Sequence, residues 1–311
     1  MQSSKPNPSR SLFPFVSLNN FSQENYLDLL KTAKCLSLSE LSSRPQGTAA
    51  LLFFEPSTRT RLSFELALKA EGYLTISIES GSGTSIEKGE TLEDTLFNVA
   101  AMGVDLLVVR TNESFPYLEV AEQVRQPILC GGWGRRAHPS QALLDALTMQ
   151  DLGLDFAELR VLIVGDVLHS RVFSSHLELS QILGYQMAVC APDNLRSPTV
   201  GLKHFENLAE GLEWANVVMG LRYQKERHTE AHAFTEIKTK FGLNSQSLKA
   251  LAPRSLILHP GPVEFGLEME REVLKDPRCR IWQQVENGVR VRRSLVRWVS
   301  ELNRQQMEKG E

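Results

Sequence analysis

Short apolar runs recur along this 311-residue chain at intervals that leave room for one helix between neighbours. They are Ala49–Phe54, Leu74–Ile78, Val104–Val109, Pro127–Cys130, Arg160–Val164, Gln186–Cys190, Asn216–Gly220 and Ser255–Leu258. Each is short enough for a strand buried on both faces of a parallel sheet. Between the runs lie helical patterns such as Leu92–Met102, Gln141–Leu152 and Val172–Leu183. Alternation of this kind predicts an α/β protein with parallel β-sheets flanked by helices, and there are enough runs for two sheets. Length agrees, because 311 residues with 42% apolar side chains exceed one domain of ordinary size. The helical segment Leu143–Met149 joins the halves, which puts the boundary close to Ser140. A last helix is predicted from Val291, Leu295, Val296, Trp298, Val299 and Leu302, which share one face.

In open parallel sheets ligands bind beyond the carboxyl ends of the strands, so the residues after each run carry the functional signal. Phe54-Glu55-Pro56-Ser57-Thr58-Arg59-Thr60-Arg61 follows the first run. Pro56 suits the entry to a helix, the next N–H groups are free to face a ligand, and the hydroxyls and Arg59 complete an oxyanion site. Arg110 follows the third run, and Gly131 to His138 follow the fourth. In the second half, Gly165 to Arg171, Arg222 with Gln224, and His259-Pro260-Gly261-Pro262 occupy equivalent places. Arginines repeated at one sheet edge describe a cleft for several anionic groups.

Other classes are excluded by what surrounds these residues. Thirty-four basic and thirty-seven acidic side chains leave a net charge of −3, which advertises neither nucleic acid nor a membrane surface. No apolar run approaches a membrane span, and Met1 to Arg10 lacks the apolar stretch of a signal peptide. Cys35, Cys130, Cys190 and Cys279 are far apart, so neither a metal ribbon nor a redox pair is indicated, and a reducing cytoplasm is expected. After Gly165 there is no Gly-x-Gly-x-x-Gly spacing, which argues against a nicotinamide or flavin cofactor. Gly81-Ser82-Gly83-Thr84-Ser85 is expected to be a mobile loop.

With these residues laid out, the chain resembles the catalytic chain of the aspartate carbamoyltransferase family. The likeness runs in order through Phe54 to Arg61, Lys88-Gly89-Glu90-Thr91, His138-Pro139-Ser140-Gln141-Ala142-Leu143-Leu144-Asp145, His169-Ser170-Arg171-Val172, Leu221 to Arg227, His259-Pro260-Gly261-Pro262 and Val285-Glu286-Asn287-Gly288-Val289. It therefore spans nearly the whole sequence. The resemblance implies transfer of a carbamoyl group from carbamoyl phosphate to the amine of L-aspartate, an early step of pyrimidine (UMP) biosynthesis, without cofactor or metal. It implies a carbamoyl phosphate-binding domain over 1–140, completed by a C-terminal helix over 289–306, and an aspartate-binding domain over 141–288.

By the same resemblance, Ser57, Thr58, Arg59 and Thr60 hold the phosphate. Thr60, Arg110 and His138 point at the carbonyl oxygen, Gln141 orients the carbamoyl NH₂, and Pro260, Gly261 and Pro262 line the site with their backbone. Arg171 takes the α-carboxylate of aspartate, and Arg222 with Gln224 takes the side-chain carboxylate. Thr84 and Lys88 reach from a neighbouring subunit, which implies a homotrimer with shared sites and places Lys88 among the catalytic and aspartate-binding groups. A regulatory chain or a dihydroorotase partner is left open. Ornithine-type relatives carry His-Cys-Leu-Pro where this chain has His259-Pro260-Gly261-Pro262. The sequence also departs from the aspartate pattern at Thr111, Trp133, Phe173-Ser174 and Glu264-Phe265, none of which is assigned to substrate.

Overall fold

The computed structural model describes residues 14–79, 88–223, 235 and 237–308. Thr84, Gln224 and the Gly81–Ser85 segment lie outside the described residues. The chain divides into two compact units, one of Met1–Leu143 with Asn287–Glu311 and one of Leu144–Glu286. Each unit is a helix-flanked parallel sheet, as the alternation of runs predicts.

In the first unit, β1 (Gly47–Phe53), β2 (Tyr73–Glu79), β3 (Leu106–Thr111) and β4 (Ile128–Trp133) form a sheet of order β2-β1-β3-β4, with every pair parallel. β1 lies between two neighbours and is wholly buried from Ala49 to Phe53, which is why it reads as an uninterrupted apolar run. Helix α1 (Gln23–Cys35) precedes the sheet, and α2 (Thr58–Ala70), α3 (Leu92–Ala101) and α4 (Tyr117–Ala121) connect its strands. One core gathers Ala50, Leu52, Leu107, Val109 and Ile128 from the strands, with Leu96 and Val99 from α3 and Tyr117 and Val120 from α4. The order of strands reverses after β2. The chain leaves β1 for β2 on one side and returns to β3 on the other, so β1 and β3 flank a switch point.

The second unit has the order β7-β6-β5-β8-β9, from β5 (Arg160–Val164), β6 (Gln186–Cys190), β7 (Lys203–His204), β8 (Val217–Gly220) and β9 (Leu256–Leu258). Its switch point lies between β5 and β8. Helices α6 (Arg171–Leu183) and α7 (Leu208–Trp214) pack beside it, and Leu162, Val164, Leu212, Val218, Ile257 and Met269 are central in its core. Cys190 belongs to this core, and burial pushes its thiol up to about 12, which makes it a small apolar filler.

Two helices cross the division between the units: α5 (Pro139–Met149) and α8 (Ile281–Glu308). The expected stripe of α8 is buried at Val291, Leu295, Val296 and Val299, and Trp298 packs edge-on against Phe21 at 4.4 Å. Residues 291–296 are buried without a break, so the helix is enclosed there on all sides. Its polar side chains in that stretch are correspondingly bonded. Arg292 donates to Ser63 Oγ at 2.9 Å and Ser140 Oγ at 3.2 Å, Arg293 to Glu71 at 2.7 Å and to the Ser37 carbonyl, and Ser294 to the Leu29 carbonyl at 2.8 Å. Among the described residues no helix is long and apolar enough to cross a membrane.

Candidate active site

The first unit places its predicted residues at the carboxyl ends of β1, β3 and β4, around the switch point. Ser57 is the N-cap of α2 in extended conformation, and its hydroxyl makes no capping bond to that helix. Thr58, Arg59 and Thr60 form the first turn, whose N–H groups have no partner within the helix and carry its positive end. Arg59 is exposed, yet partial desolvation pulls its guanidinium below the ordinary arginine range. It stays charged at any physiological pH.

Arg110 is paired with Phe53 across the β1–β3 ladder, and its carbonyl accepts from Phe54 N–H at 2.9 Å. The register between β3 and β4 shifts at this point: Val109 faces Cys130 and Arg110 faces Gly132, leaving Gly131 as an extra residue. Such a bulge bends the strand end and re-aims its side chains. Here the guanidinium donates to the Gly131 carbonyl at 3.2 Å, with Glu55 at 3.8 Å on its other flank. A side chain at Gly131 would stand 3.3 Å from Arg110 Cβ and 3.2 Å from the Phe53 ring, so glycine makes the room that Arg110 occupies.

His138 ends the turn after β4. Its carbonyl accepts from Gln141 N–H at 3.0 Å and opens α5, and its buried ring lies with Nε2 3.4 Å from Thr60 Oγ1. Gln141 is buried in the first turn of α5. Arg292 joins this helix to α2 through Ser140 and Ser63, and its guanidinium lies 5.0 Å from the Phe64 ring centre. The structure thus brings together Ser57, Thr58, Arg59, Thr60, Arg110, His138 and Gln141 at one end of one sheet. Lys88 is exposed, three residues before Thr91, the N-cap of α3; among the described residues no hydrogen bond or ion pair ties it to that group.

The second unit does the same at its own switch point. Gly165 follows β5 with φ of +120° and sits against the Leu221 carbonyl, where a Cβ would approach to 2.7 Å. That close approach draws the ends of β5 and β8 together. Asp166 is buried and accepts from the His169 ring at 2.9 Å, which shapes the turn into α6. Ser170 caps α6, and Arg171 is its first residue. Arg222 stands exposed just beyond β8, and the loop His259 to Pro262 follows β9. Sequence reasoning assigned no role to Glu55 or Asp166, although both lie in stretches it singled out, and it did not reach Glu268 or Arg292, which are buried charged side chains.

The departures from the family pattern are filled locally. Trp133 packs edge-on against Tyr117 at 5.1 Å with Arg136 over its ring, Phe173 is buried, and Ser174 donates to the Ser170 carbonyl at 3.3 Å. Phe265 lies beneath the guanidinium of Arg271 at 4.3 Å, and Thr111 is fully buried. Among the described residues no group of three or more His, Cys, Asp or Glu side chains is placed to hold a metal ion.

Both units match known proteins over most of the chain. Residues 14–151 match the aspartate/ornithine carbamoyltransferase carbamoyl-P binding domain, and residues 157–299 the Asp/Orn binding domain of the same family. The chain belongs to the aspartate/ornithine carbamoyltransferase family. Within it, the aspartate carbamoyltransferase catalytic subunit of Chloroflexus aurantiacus is 39% identical, over 90% of this chain and 96% of that protein. Aspartate transcarbamoylase from Trypanosoma cruzi, solved with carbamoyl aspartate and phosphate, superimposes with a TM-score of 0.81 at 25% identity, covering 95% of this chain and 98% of that one. Ornithine carbamoyltransferase from Thermus thermophilus gives a TM-score of 0.80 at 24% identity, covering 92% and 99%. Fold alone therefore does not select the acceptor; the side chains must.

Proposed function

We propose that this protein transfers the carbamoyl group of carbamoyl phosphate to L-aspartate, giving N-carbamoyl-L-aspartate and phosphate, an early step of pyrimidine formation. The observation that supports the reading is the pair of switch points: one gathers Ser57 to Thr60, Arg110, His138 and Gln141, and the other places part-buried Arg171 and exposed Arg222 beyond β5 and β8. In the first unit, Ser57 to Thr60 hold the phosphate, Arg59 supplying a fork of donors and the α2 N-terminus its aligned N–H groups. Arg110, His138 and Thr60 donate to the carbonyl oxygen, on which negative charge grows as the amine attacks, so these bonds strengthen on the way to the transition state. Gln141 orients the NH₂ group, and the backbone of Pro260 to Pro262 adds acceptors. The amine attacks the carbonyl carbon, the carbon–oxygen bond to phosphate breaks, and the departing phosphate takes the amine's proton.

The second unit holds the acceptor. Arg171 binds the α-carboxylate, and Arg222 with Gln224 binds the side-chain carboxylate. A cationic acceptor such as ornithine would meet repulsion at Arg222, which favours aspartate within the family. Catalysis then rests on positioning and charge neutralisation.

The reading extends to a homotrimer in which Thr84 and Lys88 of one subunit complete the site of the next, Lys88 adding a cation for both substrates. Exposed apolar side chains support association: Leu62 and Leu66 on α2 are 44% and 57% exposed, and Leu74 and Ile76 on β2 are 73% and 42% exposed. β2 is an edge strand, and the segment bearing Thr84 and Lys88 follows it directly in sequence. All four cysteines are unpaired, which supports a reducing cytoplasm.

Ligand binding tests the division of labour. Calorimetric titration with phosphate and with succinate is expected to show both bound by the unaltered protein. Arg59→Ala should weaken phosphate at least about tenfold, as loss of a charge-assisted bond implies, and leave succinate unchanged. Arg222→Ala should do the reverse. Loss of both ligands in either folded variant, or no dicarboxylate binding in the unaltered protein, would refute the assignment.

A further inference from the structure

The loop after β9 carries two prolines, and they decide which of its backbone groups can bond. Pro260 and Pro262 have no N–H, so residues 260–264 offer three donors, on Gly261, Val263 and Glu264. Two of the three are taken by buried side chains. Gly261 N–H donates to His259 Nδ1 at 2.8 Å, and Glu264 N–H donates to Glu268 Oε1 at 2.5 Å. His259 and Glu268 are each 2% exposed, and they face one another with Nε2 3.5 Å from Oε1.

This arrangement fixes the histidine chemically as well as sterically. Because Nδ1 accepts a hydrogen bond, the neutral ring carries its hydrogen on Nε2, the atom turned toward the carboxylate. The His259 backbone is held in turn: its N–H donates to Gln284 Oε1 at 2.9 Å, and Gln284 Nε2 donates to Asp145 at 2.7 Å. Asp145 continues to His176 at 3.1 Å, and His176 to Tyr185 at 2.8 Å. Glu268 Oε2 and Tyr223 Oη are buried and make no hydrogen bond within the described structure. Buried polar atoms left so are rare, and they call for an explanation beyond packing. A Cβ at Gly220, the last residue of β8, would lie 3.1 Å from His259 Cδ2, and Tyr223, which follows Arg222, senses the charge of Glu268, so the buried pair borders the exit of β8 as well as the loop.

We propose that His259 and Glu268 are positioning residues for carbamoyl transfer, which draw the N–H groups of the loop inward and thereby aim its carbonyls, on Pro260 and Gly261, at the reacting groups. The proposal rests on the reading of this loop as a substrate-contacting segment. Neither side chain need touch substrate; each acts through backbone it holds. His259 in this role imitates a common turn, in which an Asn side chain accepts from the N–H two residues on. That likeness supplies a conservative variant: His259→Asn keeps the bond to Gly261, whereas His259→Leu keeps bulk and loses it.

Two readouts on the full-length protein decide the matter. The first is hydrogen–deuterium exchange of the peptide spanning 259–266, measured without substrate. His259→Leu is expected to speed exchange of that peptide at least about tenfold, as loss of one protecting bond implies, and His259→Asn to restore protection. The second is steady-state kinetics. His259→Leu should lower kcat about 100-fold, the loss expected for a misplaced contact, with KM for carbamoyl phosphate within about twofold, and His259→Asn should recover most of kcat. If His259→Leu does not fold, Glu268→Ala, read at the same peptide and in kcat, takes its place, with Glu268→Gln as its conservative partner. A folded leucine or alanine variant with unchanged protection or unchanged kcat would overturn the proposal, as would a conservative variant no better than the disruptive one. A protein that carbamoylates no aspartate would defeat the functional reading alone, and the exchange comparison would still decide whether the pair fixes the loop.

Discussion

Replacing Arg110 with alanine is expected to lower kcat by about 100- to 1,000-fold, the range seen when a donor to a developing oxyanion is removed. The size follows from how the side chain is held. Arg110 ends β3 beside the switch point, the bulge at Gly131 re-aims it, and the Gly131 carbonyl and Glu55 brace its guanidinium from two directions. In the proposed role, a donor fixed in this way would need no reorganisation as charge develops on the carbonyl oxygen. Lysine should rescue poorly, because a single ammonium cannot satisfy the Gly131 carbonyl and a substrate oxygen with the geometry of a planar fork. Steady-state kinetics on the folded variants check this. An alanine variant within about threefold of the unaltered kcat would remove Arg110 from the transition state.

The second large effect concerns stability. Glu71 is buried at the end of α2, where Arg293 and Arg297 of α8 bind its two oxygens, and the Arg293 side chain is wholly buried. Removal of the carboxylate strands a buried guanidinium, at a cost of about 3–5 kcal/mol. Glu71→Ala should therefore shift the denaturant midpoint of the first unit far downward. Glu301→Ala, which breaks an exposed pair with Arg304 on the same helix, should leave it unchanged. Equal midpoints for the two variants would mean that the buried Glu71–Arg293 pair is not what anchors α8.

Much of this molecule could be read from the sequence, for reasons that differ by element. The strand runs Arg160–Val164 and Gln186–Cys190 coincide with β5 and β6 because interior parallel strands are buried on both faces and leave an unbroken apolar signature. β7 carries no such signature, since Lys203 and His204 form a two-residue edge strand with polar side chains only. Helix α8 begins at Ile281, well before the apolar stripe at Val291, because its first turns bury polar side chains: Gln284 bonds His259 and Asp145. The cationic and hydroxyl residues at strand ends were legible because their types contradict the buried runs they follow. Their supports were not. The pairing of Glu71 with Arg293, of Ser63 with Arg292 and of Glu55 with Arg110 joins residues far apart in sequence, and only the fold brings them together.

The most direct test of the central claim is to supply the purified protein with ¹³C-labelled carbamoyl phosphate and L-aspartate, with L-ornithine in a parallel reaction, and to follow the carbamoyl carbon by NMR. N-carbamoyl-L-aspartate and phosphate should appear in equal amounts from aspartate, with no carbamoylated product from ornithine. Product from ornithine alone, or from neither acceptor with folded protein, would contradict the account.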